Sequence, residues 1–162
     1  AALSRLRGVV EQEAKDVQLY AEQVRVITDD AQSDLDEIMG DYERAERAVD
    51  RLDRKDIQEL KSFQNPPSTV RLVVECVCML LGYKEDWSTA RQIMGDVNFV
   101  RRIFDYDKDH VPERLLQKLQ TYLDDPQFDP QAVERQSQAA KSLCLWCRAI
   151  HHYAHVLKRV QP

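Results

Sequence analysis

Four cysteines, four histidines and a short run of alternating aspartates are the residues of this 162-residue chain whose types and spacing suit chemistry. Cys76-x-Cys78 and Cys144-x-x-Cys147 are spaced like the halves of a zinc site. On a helix, however, Cys76 and Cys78 point to different sides. Cys144 and Cys147 share a face, but within the apolar stretch Leu143-Cys-Leu-Trp-Cys147. Buried free thiols packed as small hydrophobes fit that setting better, and no disulfide is expected in a reducing compartment. His151 and His155 stand one helical turn apart, a metal-compatible spacing, with His152 between them. No glutamate accompanies them as in His-Glu-x-x-His, so a solvated helix face is expected. Asp105, Asp107 and Asp109 alternate loosely like a calcium loop, but its glycine and closing glutamate are missing. An acidic turn ending a helix is expected there. No glycine-rich phosphate loop, nucleophile elbow or Ser/His/Asp set is visible. These residues point to binding rather than catalysis, with no cofactor and no metal.

The elements that must position these residues are helices. Glycines number 4, prolines 6, and 31% of residues are charged, a composition that leans to long helices. No run of about 18 apolar residues occurs, so no membrane span is expected. The first residues lack the apolar core of a signal peptide, and a soluble, intracellular protein is expected. Residues 1–64 carry ten Lys and Arg against sixteen Asp and Glu; residues 65–162 carry thirteen against twelve. That balance is not basic enough for a nucleic-acid protein. The less acidic second part is the better suited to an acidic partner.

From Leu3 to Phe63 there is no proline, and one unbroken helix is expected. Leu3, Leu6, Val10, Val17, Tyr20, Val24, Ile27 and Ala31 form a coiled-coil seam. Ile27, Ala31, Leu35 and Ile38 then follow at four, four and three, and the seam continues through Tyr42, Ala45, Val49, Leu52 and Asp56. Two consecutive fours make a four-residue stutter, which unwinds a coiled coil locally and suits a helix that pairs in more than one register. Pro66-Pro67 ends the seam, because a proline pair cannot continue a helix. Pro67 suits the start of a new helix, Ser68–Leu81, with Val70, Val73, Val74, Val77 and Leu80 inward and Gly82 as its cap. Further helices are expected at Trp87–Met94, Asn98–Tyr106 and Pro112–Leu123, then a long one at Asp129–Val160. The second half of that last helix, from Trp146, is expected to lie antiparallel to the end of the first. The expected fold is all-α, a small helical bundle at the tip of an antiparallel two-helix coiled-coil stalk. Its divisions are 1–64, 65–145 and 146–162.

Several stretches of the sequence then resemble one family. Asp56-Ile-Gln-Glu-Leu-Lys-Ser-Phe-Gln-Asn-Pro-Pro-Ser-Thr-Val70 and Val74-Glu-Cys-Val-Cys-Met-Leu-Leu-Gly82 look like the junction of stalk and tip in dynein heavy chains. Asp86-Trp87, Gly95-Asp-Val-Asn-Phe99, Tyr106-Asp-Lys-Asp109, Ala139-Ala-Lys-Ser-Leu-Cys-Leu-Trp146 and the ending Tyr153–Pro162 continue the likeness, in order, over about residues 29–162. Leu52-Asp-Arg-Lys-Asp-Ile57 and Lys141-Ser-Leu-Cys144 look more axonemal than cytoplasmic.

The resemblance implies a microtubule-binding tip whose affinity is controlled by sliding of the stalk helices. It would be part of an ATP-driven, minus-end-directed motor of the cilium or flagellum, whose ATPase ring is not in this chain. It also implies a location at the cytoskeleton and axoneme, and α/β-tubulin as partner. Contact residues carried over from the family are Ser68, Thr69 and Arg71, then Arg101 and Arg102, then Arg135, Lys141 and Arg148. Pro66 and Pro67 mark the stalk junction. Gln131 stands where family members often carry an acidic residue, and Gly95-Asp-Val-Asn98 leaves no room for the hairpin flap of some axonemal members. The alternative is a coiled-coil adaptor whose tip docks an axonemal dynein light chain or another protein. A third expectation is a zinc-dependent fold on the four cysteines.

Overall fold

The computed structural model describes residues 2–160, apart from the side chains of Ala2 and Ile27. The expected seam position Ile27 and the last two residues of the expected return helix, Gln161 and Pro162, lie outside what is described. The elements are α1 (Ala2–Asp50), α2 (Arg54–Lys61), α3 (Ser68–Leu80), α4 (Trp87–Met94) and α5 (Phe99–Phe104). A 3-10 turn (Lys108–His110), α6 (Glu113–Leu123), α7 (Pro130–Glu134) and α8 (Gln138–Val160) complete the chain. No strand occurs among the described residues, as the all-α expectation requires.

The helix expected to run unbroken from Leu3 to Phe63 is interrupted. α1 stops at Asp50, and Asp53 starts α2 with a reciprocal cap: its carboxylate accepts from the Asp56 amide at 2.9 Å, and Asp56 accepts from the Asp53 amide at 3.0 Å. This is a capping box with Asp in place of the usual Glu or Gln. Leu52 packs against the core at the break. The long helix expected at Asp129–Val160 is also two. The Gln136 and Ser137 amides both close onto the Val133 carbonyl, and the Ser137 hydroxyl then accepts from the Ala140 amide at 3.1 Å, starting α8. In both places a side-chain cap outweighs a hydrophobic period that runs straight through it. The division expected at 145/146 falls inside α8.

α3 is the centre of the tip. It packs against α4, α6, α7 and α8, so its side chains from Cys76 to Leu80 are all buried. Its end is the expected glycine cap. The Tyr83 amide reaches the Cys78 carbonyl at 2.8 Å and the Gly82 amide the Met79 carbonyl at 3.2 Å, the Schellman pair. Gly82 sits at φ 85°, which a side chain would resist. The link from α2 to α3 is pinned by Trp87, whose indole N–H donates to the Phe63 carbonyl at 3.0 Å, and by burial of Pro66.

α8 runs antiparallel to the end of α1. Trp146 and Tyr153 meet Tyr42, while Val156 and Val160 lie by Ala31 and Asp34. Tyr42, Ala45 and Val49 are buried there. The earlier seam residues Leu3, Leu6, Val10, Val17, Tyr20 and Val24 are exposed. The stutter between Ala31 and Leu35 thus falls where the described part of α8 ends. No described helix is long and apolar enough to cross a membrane.

Candidate partner-binding tip and stalk base

The start of α3 has no side-chain cap; Pro67 precedes it with extended backbone. Its first-turn N–H groups and the positive end of its dipole therefore remain available to an anion. Arg71 is exposed one turn on and pairs with no carboxylate among the described residues. α7 packs against α3, and Arg135 at its end is likewise exposed and unpaired among the described residues. Ser68 is exposed, but the Thr69 hydroxyl is turned inward without a protein partner.

The other cations differ in how they are held. Arg101 on α5 is 79% exposed and only loosely near Asp105, at 3.7 Å. Arg102 is engaged: it pairs with Asp96 at 3.0 Å, bonds the Tyr83 hydroxyl and stacks over that ring. Lys141 pairs with Glu134 across the α7–α8 break at 3.1 Å. Arg148 reaches the Phe128 carbonyl at 3.4 Å and steadies the approach to α7. The structure brings the α3 and α7 residues to neighbouring elements, whereas α5 packs on α1.

At the stalk base a polar cluster joins α1, α8 and the 3-10 turn. The Trp146 indole N–H donates to the Tyr42 hydroxyl at 3.1 Å, and both side chains are buried. Burial lifts the Tyr42 hydroxyl above its usual pKa, so it stays neutral. The Tyr153 hydroxyl donates to Asp109, and the Lys108 ammonium lies over both tyrosine rings. Tyr42 and Tyr153 looked like ordinary apolar seam positions in the sequence, and nothing in its spacing ties them to Lys108 and Asp109.

All four cysteines are free and buried. Burial pushes the Cys78 and Cys144 thiols up to about 12. Cys147 is also raised, by burial and by its hydrogen bond with Cys76. Such thiols are poor nucleophiles. A thiol reagent at pH 8 is expected to label none of the four in the folded chain and all of them after unfolding in guanidinium. Fast labelling without denaturant would contradict this packing. Among the described residues no three His, Cys, Asp or Glu side chains converge as a metal would require, so the zinc-dependent fold has no donor set.

His151 stacks on His155, with ring centres 5.9 Å apart, in a groove between α8 and α6 where Glu113 pairs with Lys158. His152 and His155 are exposed, as a solvated face requires, but His151 departs from that expectation: it is half-buried and its Nδ1 has no protein partner. Burial first, then His152, His155 and Arg148, lower its pKa, with Asp124 opposing. A base whose folded pKa is depressed contributes stability above its unfolded pKa of about 6.5 and loses it as pH falls through the folded value. The melting temperature is therefore expected to fall between pH 7.5 and 5.5, and to fall less in His151→Gln. An equal drop in both proteins would reject His151 as the cause.

Taken together, a helical tip with a cationic α3 start, carried on two antiparallel helices, defines a contact module on a coiled-coil stalk. The family model for the microtubule-binding stalk of the dynein motor matches residues 1–162, and the chain belongs to that family. It is 41% identical over 98% of its length to human dynein axonemal heavy chain 6. It is 38% identical over 85% of its length to human dynein axonemal heavy chain 2. The chain spans about 4% of the first relative's length and 3% of the second's. A solved microtubule-binding domain of dynein-c superposes with a TM-score of 0.71 at 33% identity, covering 82% of this chain and 94% of that one.

Proposed function

We propose that this chain is the microtubule-contacting end of an axonemal dynein heavy chain, and that the alignment of α1 against α8 sets its affinity. Its part is contact and coupling. ATP hydrolysis and minus-end-directed movement in the cilium or flagellum belong to the remainder of the motor. Residues 1–64 serve as the outgoing arm of the stalk, 65–145 as the tip and 146–162 as the start of the return, with Pro66 and Pro67 at the junction. The observation that carries this function is the uncapped start of α3, with Arg71 one turn on and Arg135 at the end of the neighbouring α7, both exposed and unpaired among the described residues. Arg101 adds a further exposed cation on α5. Ser68 and Thr69 line the α3 start, while Arg102, Lys141 and Arg148 add positive charge although each is held by a neighbour within the tip. Tubulin is acidic, so these guanidinium groups steer and strengthen encounter.

Co-sedimentation with microtubules across ionic strength tests this. Exposed charge contacts are screened within about 10 Å at 0.1 M salt, so pelleting is expected at low salt and to fall steadily as salt rises. No pelleting at the lowest salt would refute the proposal.

A second occupant of the tip, a dynein light chain or other adaptor partner, is favoured by one feature. A groove of about 510 Å³ lies between α2 and the α4–α5 link, and Val97 beside it is 87% exposed. A light-chain pulldown that survives high salt would support docking in this groove. Release at low salt would not.

A further inference from the structure

We propose that the segment Tyr106–Asp109 is a register lock, which seats one residue of α1 against α8 and reports that seat to α5. Its effect on microtubule affinity rests on the register control proposed above; the lock itself does not.

The ties of the segment to α8 do not pass through α1. The Asp109 carboxylate accepts from the Tyr153 hydroxyl. The Tyr106 ring meets Trp146 edge-on, with centres 5.4 Å apart and planes at 84°. Contacts to α1 are of a different kind: the cation–ring contact and the indole acceptor both need Tyr42. The Lys108 ammonium lies 5.2 Å from the Tyr42 ring centre and 5.3 Å from that of Tyr153. The Trp146 N–H takes its acceptor from the same tyrosine. Trp146 is fully buried, so a donor that loses Tyr42 has no water to turn to.

Sliding α1 by half a heptad moves Tyr42 by roughly 5 Å along the helix axis. The two directions are not equivalent. Sliding α1 toward its own C-terminus brings Ile38 or Met39 to the seat, and neither offers a ring or an oxygen. Drawing α1 back toward its N-terminus brings Glu46, four residues on and on the same face. Glu46 is half-buried already, and Lys108 already offsets the cost of that burial. In the drawn-back register its carboxylate pairs with Lys108 and accepts from Trp146. The lock therefore has two seats, Tyr42 and Glu46, one turn apart. Between Lys108 and Phe104, the end of α5, lie only three residues, so a change of seat is felt at the helix that carries Arg101.

Disulfide trapping in the whole chain tests this. Ala31→Cys with Val160→Cys reports the described register, since both residues line one groove. Leu35→Cys with Val160→Cys reports the drawn-back one. The native thiols are buried and stay silent. Tyr42→Phe keeps the ring but removes the acceptor. It is expected to raise the ratio of drawn-back to described cross-link about fivefold, the size of one net hydrogen bond. Glu46→Gln weakens the second seat and is expected to lower the ratio. Helicity by circular dichroism confirms that both variants fold. Unchanged ratios in both variants, or shifts in the same direction, overturn the lock. Microtubule pelleting of the same two variants separates the claims: ratios that move while affinity stays constant keep the lock and reject register control of affinity.

Discussion

Trp146→Ala is expected to cost the tip about 3–5 kcal/mol, the range for emptying a large aromatic site in a packed core. For a domain whose whole stability is of order 5–15 kcal/mol, that is enough to populate the unfolded state near physiological temperature. The reason is position as well as size. Trp146 is fully buried, sits edge-on against Tyr106 and donates to Tyr42 on α1. Alanine therefore removes a contact that joins tip to stalk and leaves the buried Tyr42 hydroxyl without its partner. Guanidinium unfolding followed by circular dichroism measures the loss. Trp146→Phe retains most of the volume, so its cost should be clearly smaller. Equal midpoints for wild type and Trp146→Ala would show that this side chain does not bridge the two parts.

The second large effect concerns binding without stability. Reversing Arg71 and Arg101 together, to Glu, is expected to weaken microtubule pelleting at low salt by at least about tenfold, because each reversal sets like charge against an acidic surface. Both side chains are exposed and at most loosely paired, so the melting temperature should hardly move. Reversing Arg102 is a contrasting control. It is tied to Asp96 and Tyr83, and its loss should disturb the α4–α5 link as well as binding. Unchanged pelleting in both single variants, Arg71→Glu and Arg101→Glu, would reject the assignment of α3 and α5 to the contact surface.

Much of the fold is legible in the residues themselves, and the exceptions are instructive. Pro66-Pro67 and Gly82 bound α3 because proline lacks a donor and glycine tolerates positive φ, both properties of single residues. Asp86, whose side chain accepts from the Thr89 amide at 2.7 Å, starts α4 in the same local way. The breaks at Arg51–Asp53 and Arg135–Ser137 escaped because no glycine or proline marks them and the apolar period continues across them. Asp53-x-x-Asp56 is the visible signal of the first, once Asp is admitted at the third helical position. The register-setting contacts were beyond reach for another reason. Tyr42 and Trp146 are about a hundred positions apart, and helical period says which face is apolar but not which residue opposes which. Among the cations, the sequence offers no means of telling a free Arg71 from an engaged Arg102, since the difference lies in Asp96 and Tyr83, brought near only by the fold.

The two tryptophans end up at separate mechanical points, and this makes the chain its own optical gauge. Trp87 is bonded to the Phe63 carbonyl at the α2–α3 link, while Trp146 is bonded to Tyr42 where α1 meets α8. With Trp87 replaced by phenylalanine, emission comes from the stalk base alone, and its colour follows whether the indole N–H is still partnered. With Trp146 replaced, emission comes from the tip junction. The chain therefore carries one native fluorophore bonded to α1 and another bonded to the α2–α3 link, and movement of the stalk is separable from movement of the tip by single tryptophan substitutions without any added dye.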